Sequence, residues 1–501
     1  MSDSRQYTRP RKACRRSGVA IVMVLGLLSI TFAVAYSMMR VQASAERLKT
    51  NANLDVLARQ AATTGFSTGL RKMHESAWAG VGTTLSANLA ANQSYTLSYV
   101  SGDSTLASNH AKQPWRVTLL VTGKAIDPAR PSVSAQHSIR AIVELNARNT
   151  PTNPTVFTNA LQYTAYQYAN DSFELQYPCQ ITGTVRLMGE MIVGNVYPNT
   201  SSQQNRYMSD LNAMRSNIGD FRPLQGPVYL PTSRTPSTMR TNVSSRLGVT
   251  LNNISTDTVT WAYPGVVTSY KLYPGGKSYT AVQCASFLQN TTLSPDNATN
   301  PLGLFYRNGS VQVCDNVTIN GTLICNDLTI CGHPATFNAV SMPSLEDSTT
   351  PVQLPAIVSG DDVVIESGAT VTIRGAVSVC DDFDVQAGST STTLDMQGRL
   401  LTKGLFFRAR NEWNFSSSIW AALYIAFQNQ LDNSNPNPYF PSYLAGFGLN
   451  PTPLLTVKPE TSPVRYVWKD LTNTVYTPGS SDPGLRWNVV DLNDHYNPTG
   501  G

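Results

Sequence analysis

Charge and histidine are what this chain has little of. Of its 501 residues only 14% are Asp, Glu, Lys or Arg, and five are His (His74, His110, His137, His333 and His495). No H-E-x-x-H and no pair of histidines three to five apart occurs, so the ligand spacings of a catalytic or finger-type zinc site are missing. No phosphate-cradling G-x-x-x-x-G-K-[ST] loop and no dinucleotide fingerprint is present either. The formal net charge of +5 comes from one end. Residues 1–18 hold six basic groups and one acid, and beyond them the remaining 31 bases (37 less six) balance the remaining 31 acids (32 less one). A neutral bulk offers no electrostatic footprint for nucleic acid, so nucleic acid is not an expected partner.

What is present begins at that basic end. Arg5, Arg9, Arg11, Lys12, Arg15 and Arg16 precede Val19–Met39, 21 residues without a charge. At about 1.5 Å rise per residue this run can cross a hydrocarbon core of about 30 Å, and the basic flank predicts a cytoplasmic N-terminus with the bulk outside. Six of the seven cysteines (Cys179, Cys284, Cys314, Cys325, Cys331 and Cys380) lie beyond the span, on the oxidising side, where up to three disulfides could form with no pairing fixed by sequence. Cys14 lies before it.

From about Arg40 to Ala79 the chain is Ala- and Leu-rich and free of Pro. Leu48, Ala52, Val56, Arg59, Ala62, Phe66, Leu70 and Met73 recur at three and four, which predicts an amphipathic rod continuing the membrane helix. Gly65-Phe66-Ser67-Thr68-Gly69 matches G-x-S-x-G, but a nucleophile elbow needs a strand before it and a helix after it, and here the motif sits inside a helical period. Between Ser94 and Leu145 the period becomes two, with β-branched and aromatic runs separated by turn residues, which predicts a small antiparallel sheet laid on the helix. Residues 40–150 thus read as an α+β unit.

A basic leader ending in Gly18, an uninterrupted apolar helix, an Ala-rich amphipathic continuation and a small sheet resemble the type IV pilin and pseudopilin family, nearest its PilX-like minor pilins and the large minor pseudopilins of type II secretion. The resemblance covers about 150 residues. It implies cleavage by prepilin peptidase after Gly18 to leave Val19 as an often methylated N-terminus, and partners among other pilin or pseudopilin subunits and inner-membrane assembly proteins. Major subunits of that family carry Glu at the fifth mature position. This chain has Met23 there, and the loss of that Glu resembles the minor pseudopilin placed at a fibre tip. Competing leaders are an ordinary signal peptide cut after Ala33-Val34-Ala35, a twin-arginine signal at Arg15-Arg16, and an uncut single-pass anchor.

Beyond Thr150 a six-residue step appears. Phe173, Cys179, Val185 and Met191 are six apart, each followed two residues later by an apolar residue, and the step returns at Val311, Val317 and Leu323 and at Val371, Val377 and Phe383. Two inward side chains, then a Gly or Asn corner, is the pattern of a solenoid, and residues 151–403 are expected to form a mostly β, β-helix-like head, with β-meanders in a sandwich as the alternative. Insertions are expected at 195–310, with a short helix at Gln203–Gly219, and at 333–362. Residues 404–501, rich in Pro, Asn and aromatics, are expected to pack on the head, with a buried helix at Ile419–Phe427.

Chemistry-bearing clusters are few. Cys325, Cys331 and His333 could supply three soft ligands but lack a standard spacing. Asp381, Asp382 and Asp384, with Asp361 and Asp362, form the densest acidic group. Alternate oxygen ligands suit Ca²⁺, and the tip pseudopilin of the resembled family binds calcium, yet no D-x-D-x-D-G loop is present. The sequence therefore predicts no catalytic residue, no cofactor and no metal. The expected function is a non-enzymatic inner-membrane protein, N-terminus cytoplasmic, presenting its head for adhesion or assembly. A membrane-anchored polysaccharide-active enzyme using Asp362, Asp381, Asp382, Arg374 or Arg408 is the rival from another class, and a plain anchored scaffold the third.

Overall fold

A computed structural model describes residues 17–75, 77–106, 115–147, strand-bearing stretches within 161–254, 267–343 apart from 274 and 297, 351–387, 392–409, 455–466 apart from 463, and 485–497. The expected helices at Gln203–Gly219 and Ile419–Phe427 lie outside these residues.

One helix, α1 (Ser17–Met73), runs 57 residues. It contains no Pro, so nothing breaks its hydrogen-bond ladder. Its first half stands away from the rest of the molecule and is apolar and exposed, Val19 at 63% and Phe32 at 68%. It is long and apolar enough to cross a membrane. Its second half packs on an antiparallel sheet of β1 (Thr84–Ala90), β2 (Gln93–Ser101), β3 (Arg116–Asp127) and β4 (Arg130–Ala147), in that order.

The seam between helix and sheet is made of small residues. Leu54, Ala58, Ala61, Ala62, Gly65, Gly69 and Met73 are buried at steps of three and four, facing Tyr95, Leu97, Tyr99, Leu119 and Val121. A Cβ on Gly65 would come within 2.7 Å of the Tyr95 ring, and one on Gly69 would collide with Leu97. From the sheet side, a Cβ on Gly123 would strike the Ala58 carbonyl oxygen and the Ala62 amide. Of the stripe read from the sequence, Ala62 and Met73 are buried and Phe66 and Leu70 pack against the same core, whereas Leu48 (70% exposed) and Val56 (54%) face outward, because backbones this close admit mainly Ala and Gly between them. G-x-S-x-G is part of this seam, and Ser67 is an exposed helical residue.

The C-terminal strand Leu485–Asn493 joins this sheet, pairing antiparallel with β4 from Ala147↔Leu485 to Arg140↔Asn493. The expectation that residues 404–501 pack on the head differs from this: Gly404–Ala409 and Leu455–Lys458 lie in the head's own sheets, and Leu485–Asn493 returns to the N-terminal one. Its pairing is long-range, and nothing in its local sequence names its partner.

Between β4 and that last strand the chain builds three parallel sheets. Sheet I holds, in order, Thr292–Leu293, Val317–Asn320, Ala335–Asn338, Thr370–Arg374, Thr393–Gln397, Leu455–Lys458, Cys179–Thr182 and Leu224–Gln225. Sheet II runs Val282–Gln283, Leu304–Tyr306, Thr322–Cys325, Ile357–Ser359, Val377–Val379, Leu400–Thr402, Leu161–Thr164, Val185–Leu187, Val228–Pro231 and Leu251–Ile254. Sheet III runs Phe287–Leu288, Val311–Val313, Leu328–Ile330, Val363–Ile365, Asp382–Ala387, Gly404–Ala409, Ser172–Leu175 and Glu190–Val193.

The chain visits the sheets in rotation: Val311–Val313 in III, Val317–Asn320 in I, Thr322–Cys325 in II, Leu328–Ile330 in III. The six-residue step is thus the distance from one sheet to the next, and three steps return the chain beside itself, Val317 pairing with Ala335 and Phe173 with Met191. Residues 161–254, first in sequence, stack beyond residues 400–458, last in sequence, Leu405 pairing with Phe173 and Leu455 with Cys179. One apolar core, including Ile319, Phe337, Ile373, Phe383 and Leu405, fills the space between the sheets.

The stretches expected as insertions carry part of these sheets. Residues 195–310 include Leu224–Gln225, Val228–Pro231, Leu251–Ile254 and the strands from Val282 to Tyr306, and residues 333–362 include Ala335–Asn338 and Ile357–Ser359. Strands of two to four residues between polar turns are too short to show a period.

Head and N-terminal sheet meet through a hairpin, Ser269–Lys271 with Ser278–Thr280, and a chain of rings. Trp78 meets Tyr99 (centroids 5.4 Å) and Trp487 (5.6 Å), Trp487 meets Tyr273 (5.5 Å), and Tyr273 meets Trp115 (6.3 Å). Trp115 donates from Nε1 to the Pro343 carbonyl at 2.9 Å, and the Val81 amide donates to Gly275 O at 2.8 Å.

Cys314 and Cys331, which flank paired strands of sheet III, form a disulfide, while Cys284 and Cys325 are buried thiols. With the bridged positions 17 apart in sequence, Cys314→Ser should lower unfolding stability by about 2–4 kcal/mol. Denaturant melts with and without reductant check this, since reductant should lower the parent and leave the variant unchanged. Gly123→Ala should cost about 1–3 kcal/mol by overpacking, whereas Gly26→Ala, with nothing within 4 Å of its added Cβ, should cost nothing in detergent. Thermal unfolding followed by Trp fluorescence compares the two.

Candidate functional site

Two places carry features beyond packing. The first is the start of α1. The Gly18–Val19 junction falls in its first turn, and Met23 is 65% exposed among apolar neighbours. Among the described residues, no side chain of the rest of the molecule covers this half of the helix.

The second is the corner between sheets II and III, where successive turns stack. Asn326-Asp327 follows Thr322–Cys325, Asp361-Asp362 follows Ile357–Ser359, Asp381 follows Val377–Val379 and Lys403 follows Leu400–Thr402. Backbone bonds tie each turn to the next: Asp361 N donates to Asn326 O (2.7 Å), Asp381 N to Asp361 O (3.3 Å) and Lys403 N to Asp381 O (3.1 Å). Hydroxyls brace the column from inside, Ser359 Oγ donating to Asn326 O at 2.6 Å and Thr402 Oγ1 to Asp381 O at 2.7 Å.

One carboxylate oxygen from each of Asp361, Asp362 and Asp381 lies within 4.8 Å of the others. Asp362 Oδ1 also accepts from the Asp382 amide at 3.0 Å, and Lys403 Nζ stands 3.7 Å from Asp381 Oδ1. Burial raises the Asp361 and Asp362 carboxyls above the usual range, and the neighbouring acids, including Asp327 and Asp381, add to the shift in both. Three convergent oxygen ligands are a set that a hard cation such as Ca²⁺ would accept.

The structure thus redraws the acidic group. Of Asp381, Asp382 and Asp384, only Asp381 belongs to the convergent trio, and Asp361 and Asp362 complete it. Asp384 is 7% exposed on the outer side of sheet III, in register with Val364 and Phe406. The signal that could have found the trio is the spacing of acid pairs at equivalent turns, 20 residues from Asp362 to Asp382. Arg374 lies on sheet I, bonded to Asp395 at 2.5 Å, so it does not join the acids. Arg408 lies in the sheet III strand Gly404–Ala409. Cys331 is bridged to Cys314 and His333 Nδ1 meets Thr370 Oγ1 at 3.1 Å, so Cys325, Cys331 and His333 do not assemble as ligands.

The chain matches no family model, no curated protein and no solved structure at a significant level.

The acidic column has a pH consequence. A carboxyl raised in the folded state favours folding below its unfolded pKa, and that contribution is lost as pH rises through the folded value. At neutral pH the column therefore opposes folding. In EDTA, Asp361→Asn should raise the thermal midpoint at pH 7, and the gain should vanish as the pH falls through the carboxylate range. A scanning melt at both pH values checks it; a lower midpoint for the variant at pH 7 would contradict the assignment.

Proposed function

We propose that this protein is a non-enzymatic minor pilin- or pseudopilin-like subunit, anchored by α1 and carrying a β-helical head for adhesion or assembly. The observation that carries the reading is the two-part helix. Its outer half is apolar and bare, while its inner half is fixed by an Ala/Gly seam to an antiparallel sheet. A helix in water would bury the apolar residues of Val19–Met39, because each Val, Leu, Ile or Phe gains about 1.5–3 kcal/mol on burial. A lipid core, and then the helical core of a fibre, are the two environments that would take it.

In this reading Gly18 is the processing position and Val19 the mature N-terminus, exported from a cytoplasmic leader at the inner membrane. Met23 replaces the acid of repeating subunits, which favours a tip or minor role. The rotation of the chain through three parallel sheets, with one core between them, supports a β-helix over a sandwich of meanders.

Edman sequencing of the mature protein tests the proposal. Val19 as first residue is expected, with a methyl group giving a mass 14 Da higher by peptide mass spectrometry as an order-of-magnitude check of about one CH₂. Tyr36 would indicate an ordinary signal peptide, and an intact start an uncut anchor; either overturns the pilin reading.

A further inference from the structure

Sheets II and I turn different surfaces outward. Parallel sheets are ordinarily covered on both faces. The outer face of sheet II follows that rule, with Leu304, Ile324 and Val358 buried against the N-terminal unit. Among the described residues, the outer face of sheet I does not. Thr292, Thr318, Thr336, Thr372, Asp395 and Thr456 pair in unbroken register across six strands, each at least partly exposed. At about 4.8 Å per strand they form a row of about 24 Å.

A second row beside it is pre-set by bonds between strands. Asn338 Nδ2 donates to Asn320 Oδ1 at 3.0 Å, Asn320 Nδ2 to Ser294 Oγ at 3.1 Å, and Arg374 pairs with Asp395, which also accepts from Thr456 Oγ1 at 3.1 Å. No apolar side chain of these strands points outward along either row, their Val, Ile, Leu, Phe and Met residues being directed to the core. Charge is nearly balanced, since Arg374 is paired with Asp395 and Lys458 is the one further charge of these rows.

We infer that this face of sheet I binds a neutral, hydroxyl-rich polymer, a polysaccharide strand laid across the β-strands. The charge balance carries the choice of partner. A polyanion would need a row of unpaired bases, and a lipid surface or an apolar peptide would need apolar side chains; neither row has them. Hydroxyls and amides repeated at fixed spacing on a rigid sheet match a chain of repeated hydroxyls, and their mutual bonds reduce the side-chain entropy lost on binding. The inference does not depend on how the helix is used.

Cosedimentation of the full-length, detergent-solubilised protein with insoluble cellulose and with chitin, beside binding to soluble polygalacturonate, tests it. Binding to at least one neutral polymer is expected, stronger than to polygalacturonate and unchanged by high salt. Thr336→Ala/Asn338→Ala/Thr372→Ala should weaken it about tenfold or more, and Gln312→Ala/Thr329→Ala on the outer side of sheet III should leave it intact. No binding to either neutral polymer, a preference for polygalacturonate that fades with salt, or equal effects of the two variants would overturn the inference. Should the triple variant misfold by circular dichroism, the polymer preference and salt response of the parent still decide it.

Discussion

A helix of which one half is bare and apolar enough to cross a membrane and the other half is seated closely on its sheet is the constraint on which the rest of the molecule depends. The two halves differ in side-chain size and not in helix propensity. Large apolar residues fill Val19–Met39, whereas Ala58, Ala61, Ala62, Gly65 and Gly69 bring the backbone onto the sheet. Contacts between closely approaching backbones are individually small and collectively large, and they fail when one methyl is added. Such a joint holds one direction of the rod relative to the sheet.

The sheet that receives the helix is completed by the end of the chain. The strand Leu485–Asn493 pairs with β4, so everything between residues 147 and 485 is enclosed between two neighbouring strands. Trp487 adds to this closure. Its amide donates to His74 Nε2 at 3.1 Å, beside the last turn of α1, and its ring meets those of Trp78 and Tyr273. A bond into Nε2 requires the imidazole to be unprotonated there, with the Nδ1 proton directed to the Leu70 carbonyl at 2.8 Å. Helix end, C-terminal strand and head hairpin are thus joined at one cluster of rings, and Tyr273, buried within it, has its hydroxyl pushed well above the ordinary range by burial and by nearby Tyr279.

Much of this was legible in the sequence, and the limits are physical. The apolar span, the helix that continues it and the period-two strands of 94–145 followed from local periodicity, as did the strands beginning near Phe173, Val311 and Val371. The seam is legible only in its second half, at Ala62, Phe66, Leu70 and Met73, because a hydrophobic stripe is sought by its large residues and the closest contacts here are made by the smallest. The C-terminal strand and the stacking of residues 161–254 beyond residues 400–458 are pairings across hundreds of residues, for which alternation along one strand carries no address. The acidic group of Asp361, Asp362, Asp381, Asp382 and Asp384 is legible from composition, but which three converge is not, because Asp361 and Asp362 reach Asp381 only when one turn of the chain stacks on the next.

That same stacking rule explains why polar residues gather where they do. When a chain returns beside itself every turn, any residue type favoured at one position is repeated at the next, so side chains align in rows whether they attract or repel. On sheet I the repeated residue is Thr or Asn, which can both donate and accept, and the Asn row is tied by its own hydrogen bonds. At the corner between sheets II and III the repeated residue is Asp, which in its ionised form can only accept, and burial, with the stacked acids adding to it, raises the carboxyls of Asp361 and Asp362. Lys403, following in the next turn, sets a cation 3.7 Å from Asp381 and offsets part of the repulsion. Identical geometry therefore yields a self-bonded Asn row on one side and an unbalanced column at the corner, and the difference lies in whether the repeated group can donate a proton.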